Sequence, residues 1–225
     1  MSNNRTDVTL QASVSQALLD AGCVRFRSDE PFRLPSGWAS PVYIDCRRLI
    51  SYPALRQELV QHGLALLGKL GRLDDIDVVA GAESSGIAFA AWVADFLGLP
   101  MVYVRKEARG MGPAAQVVGD IRPGDRVLLV DDMMAAGRSK ANFCEALSDA
   151  GAVVRDILVV FDYGTFTAAR ALSQWNPRIH ALATWRDVLG RLNETRQVPE
   201  ADVEELRAFL SDPSQWSSTH GGIAG

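Results

Sequence analysis

The chain has 225 residues, 48% of them hydrophobic and 22% charged, with a formal net charge of −4 at pH 7. That length and apolar share suit one sizeable packed domain and exclude a disordered or fibrous chain. The acidic balance without a basic block argues against a nucleic-acid partner, and no apolar run is long enough to span a membrane.

Residues 1–7 are polar and lack a signal peptide's apolar core. Cys23, Cys46 and Cys144 are odd in number and far apart. They read as buried thiols of a reducing compartment, not as a disulfide frame or zinc site, and a cytoplasmic location is expected.

Leu10, Val14, Ala17, Leu18 and Ala21 recur at helical spacing, with Gly22 as a stop signal. Val24-Arg25-Phe26 and Phe32-Arg33-Leu34 read as short extended pieces, Pro35-Ser36-Gly37 as a turn, and residues 41–45 as a strand. These pieces (about 22–50) do not belong to an alternating pattern. Two readings fit: a hood over the binding edge of the sheet that follows, or a packing extension without ligand contact. Residues 53–68 read as a helix with Pro53 in its first turn, and His62 as an exposed helix residue.

From residue 77 strands and helices alternate. Strands are expected at 77–80, 101–104, 127–130, 153–161 and 179–184, and helices at 87–97, after the loop at 135–139 as far as 147, and at 165–175. The alternation predicts an α/β fold with a mainly parallel sheet flanked by helices, its core at about 53–185 of a single domain spanning 1–225. A further helix is expected at about 199–211, with acidic residues in its first turn. From Ser211 the chain is polar and glycine-rich and is expected to fray, His220 included.

The chemistry concentrates after the strand Val127-Leu128-Leu129-Val130. Asp131-Asp132 follow it, then the small-residue loop Ala135-Ala136-Gly137-Arg138-Ser139 and a helix. Open α/β sheets place ligands at the carboxyl ends of their strands. Backbone N–H groups of such a loop, with a helix's amino end, close on a phosphate. An acidic pair beside a phosphate loop suits a sugar phosphate with a divalent metal. Gly81-Ala82-Glu83-Ser84-Ser85-Gly86 is a second candidate anion loop between strand and helix. Arg105-Lys106-Glu107-Ala108-Arg109-Gly110-Met111-Gly112-Pro113 carries three cations and then glycines, a composition for a loop that closes over a polyanion and excludes water.

This combination of strand, two acids and small-residue loop resembles the type I phosphoribosyltransferases. Two further segments narrow the resemblance. Leu34-Pro35-Ser36-Gly37-Trp38-Ala39-Ser40-Pro41-Val42-Tyr43 is similar to the L-x-S-G-x-x-S-P-x-Y segment of orotate phosphoribosyltransferases. Tyr103-Val104-Arg105-Lys106-Glu107 is similar to their Y-V-R-K-E strand end. The resemblance covers about residues 10–185. It implies transfer of a phosphoribosyl group from phosphoribosyl diphosphate to orotate, a need for Mg²⁺, and a homodimer with a mobile loop that covers the partner's site.

By the same resemblance, Asp131 and Asp132 hold the ribose hydroxyls and lie near the metal, directly or through substrate and water. Residues Ala135, Ala136, Gly137, Arg138 and Ser139 bind the 5′-phosphate. Arg105, Lys106, Ser84 and Ser85 bind the diphosphate, Arg109 stabilises the leaving group, and Ser36, Gly37 and Tyr43 lie near the base. The chain departs from the family pattern at Pro35, Ser84-Ser85, Arg109, Met111, Ala135 and Asp162-Tyr163, where members often carry other, mostly cationic or polar, residues. Arg138 and Arg47-Arg48 are candidates to compensate. Three functions therefore stay open: an orotate phosphoribosyltransferase of divergent type, a phosphoribosyltransferase for another base, and a non-catalytic binder of phosphoribosyl diphosphate.

Overall fold

The computed structural model describes residues 3–27, 29–34, 36–109, 116–165 and 169–223. Pro35, the stretch 110–115 with Met111, and residues 166–168 of the expected helix at 165–175 lie outside these. The chain divides into two compact units, residues 1–49 with 183–225, and residues 50–182.

In chain order the first unit opens with helix α1 (Asn3–Asp20). The strand pair β1 (Val24–Phe26) and β4 (Val42–Ile44) is antiparallel, and so is the pair β2 (Phe32–Arg33) and β3 (Ala39–Ser40). The second unit holds α2 (Pro53–Lys69), β5 (Val78–Ala82), α3 (Ser85–Leu97), β6 (Met101–Val104), β7 (Val117–Val118), β8 (Arg126–Met134), α4 (Arg138–Asp149), β9 (Val153–Asp162) and the short α5 (Ala169–Leu172). Strand β10 (Arg178–Thr184) closes it. The first unit resumes with α6 (Trp185–Thr195), α7 (Glu200–Ser211) and α8 (Pro213–Thr219).

Among the described residues the main sheet has the order β10-β9-β8-β5-β6-β7. The pairs β5–β6, β5–β8 and β8–β9 are parallel, and β7 adds an antiparallel edge to β6. This is the expected mainly parallel α/β sheet. All five residues of β5 are buried, as a strand covered on both faces requires. Val78, Val127, Leu129, Ile157 and Val159 pack with Phe143 and Leu147 of α4 in one core. On α2, Leu59, Val60, Leu64 and Leu67 are buried. Gly63 lies among them because an added Cβ would stand 3.0 Å from Leu158. His62 is half-buried beside them, not exposed, with Nε2 3.9 Å from Glu58.

Three expectations are corrected. Strand β8 does not stop before the acids: Asp131 pairs with Val159, and the ladder runs on to Met134 opposite Asp162. Polar side chains end a hydrophobic pattern without ending backbone hydrogen bonding. The helix α6 is new. It starts with a capping box in which Thr184 accepts from the Asp187 N–H and Asp187 accepts from the Thr184 N–H at 2.8 Å.

Residues 212–223 are ordered rather than frayed. They include α8, and Trp216 is buried edge-on to Phe209 with its ring stacked on His220 at 3.8 Å. All three cysteines are buried and form no disulfide. Burial pushes Cys23 up to about 11 and Cys144 up to about 12. No helix among the described residues is long and apolar enough to cross a membrane.

Candidate active site

Asp131 and Asp132 lie in the second half of β8, towards the edge where the parallel strands end. Asp131 is buried and Asp132 half-buried. The Asp132 N–H donates to Asp131 Oδ1 at 2.9 Å. Lys140, in the first turn of α4, is 4% exposed. Its ammonium donates to Asp131 Oδ2 and to the Met133 carbonyl, the latter at 2.7 Å. One cation thus serves two acids. Burial, then the charge of Asp131 and a hydrogen bond with it, push the Asp132 carboxyl up to about 7, and Lys140 offsets this only in part. Asp162, at the end of the neighbouring β9, is also pushed up by burial, against a bond from the Gly164 N–H. Lys140 is thus the cation that bears on all three of these carboxyls.

The loop between β8 and α4 brings small residues to the same edge. Ala135 and Ala136 are half-buried, Gly137 is buried, and Arg138 and Ser139 are exposed. Gly137 has φ +75° and no side chain caps α4. The first N–H groups of a helix have no partner of their own within it, so this end offers amides and partial positive charge to an anion.

The second loop is held against the acids. Strand β5 ends at Ala82, and α3 starts at Ser85. A Cβ on Gly86 would lie 2.5 Å from the Val130 carbonyl oxygen and 2.9 Å from Asp131 Oδ1. Only glycine permits this approach, and it sets Ser84 and Ser85 beside the acidic strand. Glu83 accepts the Lys106 N–H at 2.7 Å. Asn142 of α4 donates to the Lys106 carbonyl at 2.7 Å, and the Arg105 N–H donates to Gln116 at 2.9 Å. The backbone at Arg105-Lys106 is thereby pinned, while the Lys106 side chain stays exposed. The Arg105 guanidinium lies 5.9 Å from the Tyr103 ring centre. Arg109 is exposed.

Ser36, Gly37 and Tyr43 belong to the first unit. Ser36 and Gly37 are exposed in the turn between β2 and β3, where Gly37 has φ +90°. The Tyr43 ring centre is 5.6 Å from that of Phe32 on β2. Of the arginines expected to compensate, Arg47 binds Asp45 at 2.6 Å and Arg48 binds the Ala21 carbonyl at 3.1 Å. Arg138 remains exposed at the phosphate loop.

Sequence reasoning missed Lys140, Glu83 and Asn142 as parts of this arrangement. A lysine in the first turn of a helix reads as surface. The one available signal is its place directly after the small-residue loop. Tyr163, noted as standing where an arginine is common, is 2% exposed and edge-on to Phe161, so it fills the core.

No three His, Cys, Asp or Glu groups converge as a metal site among the described residues. Asp131 is already matched by Lys140, and the Asp132 carboxyl is drawn towards its neutral form. This donor set does not fit a closed metal cage. It fits Mg²⁺ that arrives on the oxygens of a diphosphate and keeps part of its water.

Known proteins can now be set beside this geometry. The phosphoribosyl transferase domain family matches residues 57–170. The chain is 42% identical over 224 residues to the orotate phosphoribosyltransferase of Sinorhizobium fredii (strain NBRC 101917 / NGR234), covering 99% of this chain and 97% of that one. The solved orotate phosphoribosyltransferase of Aeropyrum pernix is 34% identical with a TM-score of 0.69, over 80% of this chain and 98% of that one. Leishmania donovani UMP synthase is 29% identical with a TM-score of 0.75, over 89% of this chain and 42% of that one. Strand order, acidic strand end, two anion loops and near full-length identity agree: the chain belongs to the orotate phosphoribosyltransferase family and has the type I phosphoribosyltransferase fold.

Proposed function

We propose that this protein transfers the phosphoribosyl group of phosphoribosyl diphosphate to N1 of orotate, releasing diphosphate and orotidine 5′-monophosphate for pyrimidine nucleotide synthesis. The observation that carries the reading is the contact of Gly86 with Val130 and Asp131. It joins one anion loop to the acidic pair, and the pair runs directly into the other loop. A ligand with phosphate groups at both ends and hydroxyls between them matches that order.

In this reading the uncapped amides at residues 135–139 take the 5′-phosphate, and Asp131 and Asp132 take the ribose hydroxyls. Ser84, Ser85, Arg105 and Lys106 take the diphosphate, and Ser36, Gly37 and Tyr43 the base. Bound Mg²⁺, held near Asp131 and Asp132 mainly by substrate oxygens, supplies positive charge to the leaving diphosphate. The bond from C1 to the diphosphate oxygen breaks with its electron pair on the diphosphate, N1 of orotate bonds to C1, and the N1 proton passes to the leaving diphosphate or to water. Positive charge grows on the sugar as this bond lengthens, and the carboxylate of Asp131 favours it. Arg109 meets the leaving group, so Arg109→Ala lowers kcat more than it weakens binding of phosphoribosyl diphosphate. The working form is a cytoplasmic homodimer.

The direct test mixes the protein with Mg²⁺, phosphoribosyl diphosphate and orotate and follows orotate absorbance. Mg²⁺-dependent loss with formation of orotidine 5′-monophosphate is expected. No conversion, in folded protein that phosphoribosyl diphosphate still stabilises, would move the reading to another base or to binding without transfer.

A further inference from the structure

The segment 213–223 is built onto the turn that carries Ser36 and Gly37. Its anchor is α8. Asp212 caps that helix by accepting the Gln215 N–H at 2.9 Å. Trp216 packs on Phe209 and donates its indole N–H to Glu205 at 2.9 Å. Ser217 follows and is fully buried. Its hydroxyl accepts the Ala39 N–H at 3.0 Å and donates to the Ile223 carbonyl at 2.7 Å. One oxygen thus joins strand β3 to the end of the segment.

The next residues grip the same hairpin. A Cβ on Gly221 would come within 2.9 Å of the Arg33 guanidinium. A Cβ on Gly222 would lie 2.3 Å from the Ala39 nitrogen and 2.4 Å from Ser217 Oγ. The Ile223 N–H donates to the Gly37 carbonyl at 3.1 Å, and the Ile223 side chain lies against Gly37. The hairpin's own bonds are few. Strands β2 and β3 pair through Phe32–Ser40 and Arg33–Ala39, and the Leu34 N–H donates to the Trp38 carbonyl and the Gly37 N–H to the Leu34 carbonyl, both at 2.9 Å; so short a hairpin is not stable alone in water. Its shape therefore needs support from outside, and residues 213–223 supply part of it.

We propose that residues 213–223 are a strut that sets the conformation of the Ser36-Gly37 turn, with Ser217, Gly222 and Ile223 as positioning residues for recognition of the base. The inference rests on the reading that this turn contacts orotate. It makes base affinity, and not affinity for phosphoribosyl diphosphate, depend on a segment distant in sequence from every assigned substrate contact.

The test is steady-state kinetics on Ser217→Ala and Ile223→Pro, with Tm and hydrogen exchange of residues 34–40 measured alongside. Ile223→Pro removes the N–H donor at a half-exposed position and leaves α8 untouched, so it stays informative if Ser217→Ala folds poorly. In both variants exchange at 34–40 speeds up and the KM for orotate rises about tenfold, as loss of a buried or partly buried hydrogen bond implies. The KM for phosphoribosyl diphosphate changes less than about twofold, since its assigned contacts are elsewhere. Gly222→Val shows the larger rise. Ser36→Ala serves as the control. A raised orotate KM in Ser36→Ala with none in the segment variants overturns the strut alone. An unchanged orotate KM in Ser36→Ala overturns the assignment of this turn to the base, and the strut's role with it.

Discussion

Two buried acidic clusters sit on the same sheet and are treated in opposite ways. Asp156, in the amino-terminal part of β9, is 1% exposed and meets one histidine and two arginines: His180 at 2.7 Å, Arg178 at 3.1 Å and Arg72 at 3.2 Å. Burial by itself raises its carboxyl, but the bonds from His180, Arg72 and Arg178 outweigh that and hold it below the usual range. Towards the other end of the neighbouring strand, the Lys140 ammonium pairs with Asp131 and bears on Asp132 through its charge alone. There burial and mutual repulsion win, and Asp132 rises. A charge whose partners are all supplied by the protein is part of the architecture. A pair left short of cations is poised for a ligand that brings hydroxyls and a metal.

That contrast is most exposed to test at the acidic pair. Asp131→Asn/Asp132→Asn is expected to lower turnover by at least about 10³-fold, roughly 4 kcal/mol of transition-state stabilisation, in protein that still folds. Normal turnover in the orotate assay would end the assignment. Asp156→Asn should do the reverse. It leaves Arg72, Arg178 and His180 without their shared anion and costs about 3 kcal/mol of stability in denaturant unfolding, while the folded fraction keeps its kcat. A variant that unfolds normally but turns over slowly would show that the two clusters are not separate in role.

Lys140→Met makes the pair still poorer in cations and frees the Asp131 carboxylate. A 10- to 100-fold fall in kcat/KM, about 1.4–2.7 kcal/mol, is expected, the scale of losing a group that orients a first contact. Lys140→Arg, longer and planar, should not restore it, since the buried slot is built for a compact ammonium. The smallest effect is a pH signature. Because the folded state raises the Asp132 pKa above its unfolded value, the folded protein binds more protons between the ordinary carboxylate range and about 7. Stability is therefore lost as pH rises through that window. Asp132→Asn removes the loss, so its Tm should exceed the parent's by roughly 3 °C at pH 8 and match it near pH 4. Parallel Tm curves across pH would contradict the raised carboxyl.

Much of the second unit is legible in the chain itself. Fully buried parallel strands must be continuous apolar runs, and the helices between them must carry apolar faces, so β5, β8 and β9 announce themselves. The acidic pair and its small-residue loop stand out because nothing about packing requires two aspartates after four buried residues. What escapes is whatever depends on a neighbour distant in sequence. Asp156 looks like a surface acid until Arg72, Arg178 and His180 surround it. Lys140 looks like a surface lysine until α4 turns it onto Asp131. Trp216 lies in a polar stretch and finds Phe209 and Glu205 only through folding.

The sequence by itself determined the order of elements, the acidic strand end, the two small-residue loops and the family to which they belong. These are local patterns, set by hydrogen-bonding period and side-chain size. Only the tertiary structure decided which acids are matched by cations, and that residues 213–223 brace the Ser36-Gly37 turn. Burial and charge compensation belong to sets of residues that meet only when the chain is folded, so no local stretch can encode them.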